Sequence, residues 1–338
     1  IEERIGRLED ELREALTLAS VEGEVFTAEV VARLQDMAVR DLIRRLSAEL
    51  DKRHHLVSSQ GLRRLGSGQR LALYQFQHNL FQTYLYGKLD EIERAVLHED
   101  VGTVLEELYG DEADEIVVQL AWHFVEADIP EKAVPYLRRA GELAAARYAN
   151  EEAAEYLSRA LDLTPRSDAS ERYNLLRLRE RVYDMQGERE AQQRDLAALE
   201  ALAEALDDAA PLPAHSRRAE VALRRAARAE VTGDYPAAVI AARQAIDLAQ
   251  AADDVPGETD GYLHWGRALW RQGDCAGAGP HLERALRLAR EASLPRAEAN
   301  CLRNLGVVAD RCGDFGQARD YLEQALHAFR AVGDRQGE

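Results

Sequence analysis

Lysine is almost missing from this chain. Only Lys52, Lys88 and Lys132 occur among 338 residues, so nearly all positive charge is arginine, a bias that is compositional. Positive charge is itself in short supply, with 43 Lys and Arg against 61 Asp and Glu and a formal net charge of −18. That balance disfavours wholesale binding to nucleic acid or anionic membrane, although a local basic patch can survive it. Cysteine is scarce as well. Cys275, Cys301 and Cys312 are odd in number and lack C-x-x-C spacing, so neither a disulfide framework nor a zinc site is indicated. Free thiols in a reducing cytoplasm are expected. No apolar run approaches the roughly 20 residues of a membrane span, and no signal-peptide pattern opens the chain.

Catalytic motifs are also lacking. The Gly87-Lys88 pair is followed by Leu89 and has Gln82 where a phosphate-binding loop needs its first glycine, so it cannot cradle phosphates with Mg²⁺. There is no H-E-x-x-H and no G-x-S-x-G, and the nine histidines show no catalytic spacing. The expectation is a chain with no enzymatic activity, metal or cofactor of its own. It opens without Met inside a helical pattern, IEERIGRLEDELREAL, and stops at GDRQGE, the punctuation that opens a unit elsewhere. A piece of a longer protein is therefore expected.

What the chain does have is repetition. Gly-Asp recurs at Gly233, Gly273 and Gly313, with Ala238, Ala278 and Ala318 following at one offset. Around the last of these stand Leu302, Leu305, Gly306 and Ala309, then Leu322, Ala325 and Leu326. Tyr262, Trp265, Gly266, Leu269, Leu282, Ala285 and Leu286 hold the same offsets one unit earlier. Apolar residues three and four apart share a helix face, so each unit reads as two amphipathic helices. Glycine tolerates the positive φ after the first helix, and aspartate can cap the second. With 46% hydrophobic residues, such a chain can bury two or more cores.

The small residues Gly306, Ala318 and Ala325, with large ones between them, resemble the tetratricopeptide repeat. The 40-residue spacing, longer than that family's usual unit, implies longer helices or linkers. The match is tightest from Ser216 to Val332. It continues upstream as EEAAEYLSRALDLTP (Glu151 to Pro165), preceded by Leu137, Ala140, Gly141 and Ala144, and as Ile116 to Asp128. The helix near Glu131 to Tyr148 reads as serving both neighbours. Around Gly187 the pattern is poor, with Gln192 where a small residue belongs, and RSDAS (Arg166 to Ser170) and PLPAH (Pro211 to His215) read as linkers. About six units stacked as a right-handed α-solenoid are expected.

The first hundred residues differ. Leu8 to Ser20 reads as a helix, Thr27 as the cap of a second at TAEVVARL, and VRDLIRRLSAEL as a third. Two short β-like runs follow, Leu56 to Ser59 and Leu71 to Phe76, joined through Gly61, Gly66 and Gly68. Three helices and a β-ribbon are the winged-helix order, so β structure is expected only within residues 55–77 of a mainly all-α chain. The phrases ALTLASVEGEVFTAEVVARL and YQFQHNLFQTYLYGKLDEIERAVLHEDVGTVLEELYG resemble the segment after the nucleotide-binding core in STAND-class signalling ATPases. That resemblance implies a winged helix (1–87), a helical arm (88–115) and a tetratricopeptide sensor (116–338), without the ATPase core or an output domain. It also implies that His78 touches the phosphates of ADP held by the missing core. ATP or ADP is expected only in the full-length protein, which would oligomerise when activated.

Two surfaces could read a partner. First-helix positions that packing does not require carry Leu223, Arg224, His264, Arg267, Trp270, Arg271, Asn300, Arg303, Asn304 and Arg311. Arginines with a tryptophan and two asparagines suit an anionic small molecule or a peptide on the concave face. Pairing of those arginines with acids of the same chain is the alternative. The second surface is the basic run from Arg40 to Arg70, with Arg44, Arg45, Lys52, Arg53, Arg63 and Arg64. A winged helix could set these against DNA. Packing on an acidic neighbour is the favoured reading, and specific nucleic-acid binding is not expected. Trp122-His123 reads as core. The function expected is inducer sensing that holds an ATPase off. The alternatives are a protein–protein interaction scaffold and a DNA-binding regulator.

Overall fold

In the computed structural model, which describes residues 1–206 and 213–334, the chain forms two compact units, Ile1–Pro165 and Arg166–Glu338. The first opens with α1 (Glu2–Gly6), α2 (Asp10–Glu22), β1 (Val25–Thr27), α3 (Ala28–Leu34) and α4 (Val39–Arg45), which runs into a π-helical turn at Leu46–Asp51. A hairpin of β2 (Val57–Arg64) and β3 (Arg70–Phe76) completes an antiparallel sheet of order β1-β3-β2. Strand β1 corrects the expectation that β structure stays within 55–77. It forms because Gly23 ends α2, and the extended stretch then buries Phe26 against Tyr74 and Phe76, ring centroids 6.0 and 5.4 Å apart. Thr27 precedes α3 but its side chain does not cap it. Its hydroxyl donates instead to buried Glu22 Oε1 (2.7 Å), and its backbone N–H donates to Oε2 (2.9 Å).

The hairpin's turn is tied down. Backbone N–H groups of Gly66 and Ser67 donate to the Glu112 carboxylate at 2.8 and 3.1 Å. Arg63 reaches the Tyr109 hydroxyl at 3.1 Å and Glu115 at 3.0 Å. These partners lie at the end of α6 (Glu91–Tyr109) and in the 3-10 segment Gly110–Ile116 after it, with α5 (Asn79–Tyr86) between sheet and α6.

Helices α7 (Val117–Glu126), α8 (Pro130–Ala146) and α9 (Asn150–Leu163) close the first unit. A Cβ placed on Gly141 of α8 would lie 2.8 Å from Leu157 Cγ of α9. In the second unit Gly266 and Gly306 meet Leu282 and Leu322 in the same way, at 2.6 and 2.7 Å. So α8 and α9 are one helical hairpin of the repeating kind, with α8 as its first helix. Only glycine permits that approach.

The second unit is helical throughout its described residues. It runs α10 (Ala169–Gln186), α11 (Arg189–Ala205), α12 (Ala214–Thr232) and α13 (Tyr235–Ala251), then α14 (Val255–Gln272), α15 (Cys275–Glu291), α16 (Pro295–Arg311) and α17 (Phe315–Ala331). Long helices, not long linkers, account for the 40-residue spacing. Gly233, Gly273 and Gly313 take φ of 81, 100 and 84°, and the alternate turns at Asp253, Ser293 and Gly333 take 54, 54 and 68°. One left-handed residue every twenty thus reverses the chain. Asp234, Asp274 and Asp314 cap the following helices, accepting from Ala237, Gly277 and Gln317 N–H at 3.1, 2.8 and 3.0 Å. Asp168 caps α10 in the same way, so that helix begins inside the expected RSDAS linker. Of PLPAH, Pro211 and Leu212 lie outside the described residues, and α12 begins at Ala214.

The weak repeat around Gly187 has a physical reason. Glu180 and Gln192 stand at the two offsets that Gly306 and Ala318 hold in the last hairpin. Both are buried, and Gln192 Nε2 donates to Glu180 Oε1 at 2.8 Å. A hydrogen-bonded polar pair replaces the small-residue contact.

Candidate functional site

The first helices α10, α12, α14 and α16 present the positions expected to read a ligand. Near the end of α12 lies a buried acid, Glu230, facing α14. Its carboxylate has no exposed surface and meets three side chains of α14. His264 Nδ1 lies 2.5 Å from Oε1, Arg267 Nη2 2.9 Å from Oε2, and Arg271 Nη1 3.7 Å from Oε2. A buried carboxylate needs such partners, because desolvating an unpaired charge costs several kcal/mol (on the order of the penalties for buried ions). Arg267 is held below the usual arginine range, chiefly by desolvation, with Arg271 and Arg303 adding to the effect and Glu230 opposing it. Asp260, one turn before His264, is raised chiefly by desolvation, against the pull of His264.

One helix earlier, Arg224 of α12 binds the buried Glu180 carboxylate and reaches Glu220 at 2.9 Å. Four of the arginine and histidine positions singled out from sequence therefore engage acids of the same chain, which was the alternative reading for them. Glu180 and Glu230 were missed. The available signal was an acid at an offset facing a basic residue on the next first helix.

The remaining candidates are differently placed. Arg303 lies with its guanidinium 5.7 Å from the Phe329 ring and has no carboxylate within ion-pair range among the described residues. Trp270 carries a buried indole Nε1 without a hydrogen-bond partner, and the Arg271 guanidinium lies 5.7 Å from its ring. Asn304 Nδ2 donates to the Asn300 backbone carbonyl at 2.7 Å, and Asn300 is half-buried. His264, Arg267, Arg271 and Trp270 thus gather on α14, with Arg303 and Asn300 on α16. The cluster holds more positive than negative charge.

In the first unit His78 stands at the N-cap position of α5, exposed, with no side-chain capping bond. Its ring centroid lies 6.1 Å from that of Phe81. Part of the basic run is engaged, while Arg40, Lys52, Arg53, Arg64 and Arg70 are exposed with no ion pair among the described residues. Arg45 pairs with Glu9 and Glu11, Arg44 with Asp41, and Arg63 with Glu115. His123 is fully buried, its Nδ1 2.9 Å from His98 Nδ1, while His98 Nε2 meets the Tyr86 hydroxyl at 2.9 Å. Burial pushes the two imidazoles down, to about 4 for His98 and about 3 for His123. Among the described residues no group of His, Cys, Asp and Glu is arranged to hold a metal, and no helix is long and apolar enough to cross a membrane.

Residues 260–331 match the tetratricopeptide repeat family model. The helical array is a tetratricopeptide-like solenoid. Such an array is suited to protein–protein interaction, since stacked first helices expose a continuous surface. Among solved structures, aspartyl phosphate phosphatase F from Bacillus subtilis superimposes with a TM-score of 0.56 at 12% identity, over 99% of this chain and 76% of that one. A STAND protein with a tetratricopeptide repeat sensor from Pyrococcus horikoshii gives 0.51 at 15% identity, over 99% of this chain and 53% of that one. BtubC from P. vanneervenii gives 0.51 at 19% identity, over 68% and 92%. These likenesses are of fold. No curated protein sequence matches the chain.

Proposed function

We propose that the chain is the regulatory and inducer-sensing portion of a STAND-class ATPase, holding a nucleotide-binding core inactive until a ligand or protein occupies the first-helix face of its repeats. The observation that carries this reading is the cluster around Glu230. One buried carboxylate lies within ion-pair range of Arg267, Arg271 and His264, and Trp270 of the same helix carries an indole N–H without a hydrogen-bond partner, with Arg303 and Asn300 on the next first helix. In a chain of net charge −18, a preorganised cation surplus suits an anionic inducer, small molecule or peptide. The wider reading draws on the likeness of fold to the STAND protein with a tetratricopeptide repeat sensor over 99% of this chain.

In this proposal residues 1–87 form a winged helix, 88–115 an arm and 116–338 the sensor. His78, exposed and uncapped, would meet the ADP phosphate on the core. One imidazole is no phosphate cradle, so the nucleotide would be held mainly by the core. Coupling is a population shift, and an inducer moves the balance only as far as it prefers the open, oligomerising form.

The test uses full-length protein. Trp270→Ala and Arg303→Ala are introduced separately, and an anionic inducer is titrated against ATP-dependent assembly. Loss of a central contact costs about 2 kcal/mol, so each variant should need roughly thirtyfold more inducer. Responses at wild-type concentrations in both would place sensing elsewhere. Assembly that never depends on ATP would instead leave a plain interaction scaffold.

A further inference from the structure

Two of the three cysteines lie at one end of the second unit's helical stack. From α12 to α17 the chain reverses at single left-handed residues, so Gly273 and Gly313 turn it at one end and Ser293 turns it at the other. Cys275 opens α15 just after the first of those glycines, and Cys312 is the C-cap of α16 just before the second. The start of α15 and the finish of α16 are therefore side by side. Cys275 packs, half-buried, against the apolar cluster to which α16 contributes Leu302, Leu305 and Val308. Cys312, whose N–H donates to the Val308 carbonyl at 2.9 Å, stands one turn beyond Val308 on the same face.

The thiols meet across that junction. Desolvation first, and then a hydrogen bond and charge interaction with the Cys275 thiol, hold the Cys312 thiol above its ordinary range. Both residues are free cysteines, and Cys312 is exposed to small oxidants. The repeat itself does not ask for sulfur here, since one unit earlier the same two places hold Tyr235 and Gln272. Cys301, the third cysteine, is also on α16 but is buried, and burial pushes its thiol up to about 12. A raised thiol is a slow nucleophile at neutral pH. A second thiol within reach, however, diverts a sulfenic acid to the disulfide before it is oxidised further.

We propose that Cys275 and Cys312 form an oxidation site, closed into an intrachain disulfide by hydrogen peroxide and reopened by a thiol reductant. The Cys312 thiolate attacks one peroxide oxygen, forming an S–O bond as the O–O bond breaks. A sulfenic acid results, and the released hydroxide takes up the thiol's proton as one water. The Cys275 thiolate then attacks the Cys312 sulfur, an S–S bond replaces the S–O bond, and the departing hydroxide becomes the second water. Two thiols give up two electrons and two protons, and the peroxide is reduced to two waters. The bond ties hairpin α14–α15 to hairpin α16–α17 and restricts the unfolded chain between the two residues. The site does not depend on the role of the Glu230 cluster.

Peptide mapping tests the proposal on the 338-residue chain, reduced, freed of reductant and treated with hydrogen peroxide at mildly alkaline pH. Remaining thiols are alkylated in denaturant. Trypsin leaves the three cysteines on separate peptides, 272–284, 297–303 and 312–319. Peptide 272–284 should be joined to 312–319 within a single chain and released by dithiothreitol, with Cys301 alkylated. Cys275→Ser and Cys312→Ser should each lose the intrachain bond, and Cys275→Ser should instead carry Cys312 as sulfinic or sulfonic acid. Cys301→Ala should keep the bond. Oxidised wild type should melt several degrees above the reduced protein, a shift that vanishes in Cys312→Ser. Over-oxidation of Cys312 in wild type while Cys275 stays free, or a bond found only between chains or through Cys301, would overturn the proposal. So would a crosslinked protein that melts no higher than the reduced one.

Discussion

Arg267 and Glu230 meet at 2.9 Å on successive first helices, and the glutamate side chain is wholly enclosed. Removing one member of such a pair leaves the other buried without compensation, at a cost of about 3–5 kcal/mol. Glu230→Ala should therefore destabilise the second unit by that order, because Arg267, Arg271 and His264 all lose their acid. Arg267→Met alone should cost less, since Arg271 and His264 still face the carboxylate. Urea unfolding of both single variants and the double variant measures the coupling. A Glu230→Ala midpoint equal to wild type would contradict this account of the cluster.

The turns make opposite predictions at equivalent places. Gly313 has φ of 84°, a region that β-branched residues enter poorly, so Gly313→Val should cost roughly 1–3 kcal/mol. Tyr148 occupies the same turn position between α8 and α9 with φ of 61° and is 76% exposed. It bears the left-handed cost with little burial to offset it. Tyr148→Gly should thus hold or raise stability, by up to about 1 kcal/mol. Denaturant midpoints that move the same way in both variants would refute the shared turn geometry.

Two buried sites in the first unit set opposing pH responses. Burial pushes Glu22 up to about 7, opposed by its bonds from Thr27 and assisted by Glu29. The folded state then favours protonated Glu22, so this contribution is full at acid pH and fades as pH rises towards 7. His98 and His123 are pushed down by burial, so their contribution is present above about 6.5 and is lost as pH falls towards 4. Between these limits the slopes oppose. Glu22→Gln should gain stability relative to wild type as pH goes from about 4.5 to 8 and should steepen the loss in acid. Thermal melts across that range provide the measurement, and a difference between the two proteins that does not change with pH would rule out a titrating Glu22.

The hairpins were legible where periodicity is enforced by contact. Gly306 and Leu322, like Gly266 and Leu282, must approach so closely that only glycine serves, and that constraint is written as a recurring residue. Partner choice among charges carries no such period. Arg267 reads the same from sequence whether it awaits a ligand or binds Glu230, and only the helix stacking decides. Strand β1 was hidden for a related reason. A three-residue strand is too short to show alternation, and Thr27 before a helix reads as a cap until Glu22 is seen to accept its hydroxyl.

The first unit should bind DNA weakly and without sequence preference. A winged helix that reads DNA needs its hairpin free to lie along the backbone, with its basic residues available for phosphates. Here Glu112 holds the Gly66 and Ser67 N–H groups, and Arg63 is engaged by Tyr109 and Glu115. Arg45 is likewise paired with Glu9 and Glu11. Replacing Arg44, Arg45, Arg63 and Arg64 together by alanine should remove no sequence-specific binding. Glu112→Ala, which releases the turn, should at most increase salt-sensitive, non-specific retention. Gel shifts at physiological salt decide the matter. A nanomolar, sequence-selective complex of the unaltered chain would show that the hairpin is released on DNA, and would make the winged helix a reader in its own right.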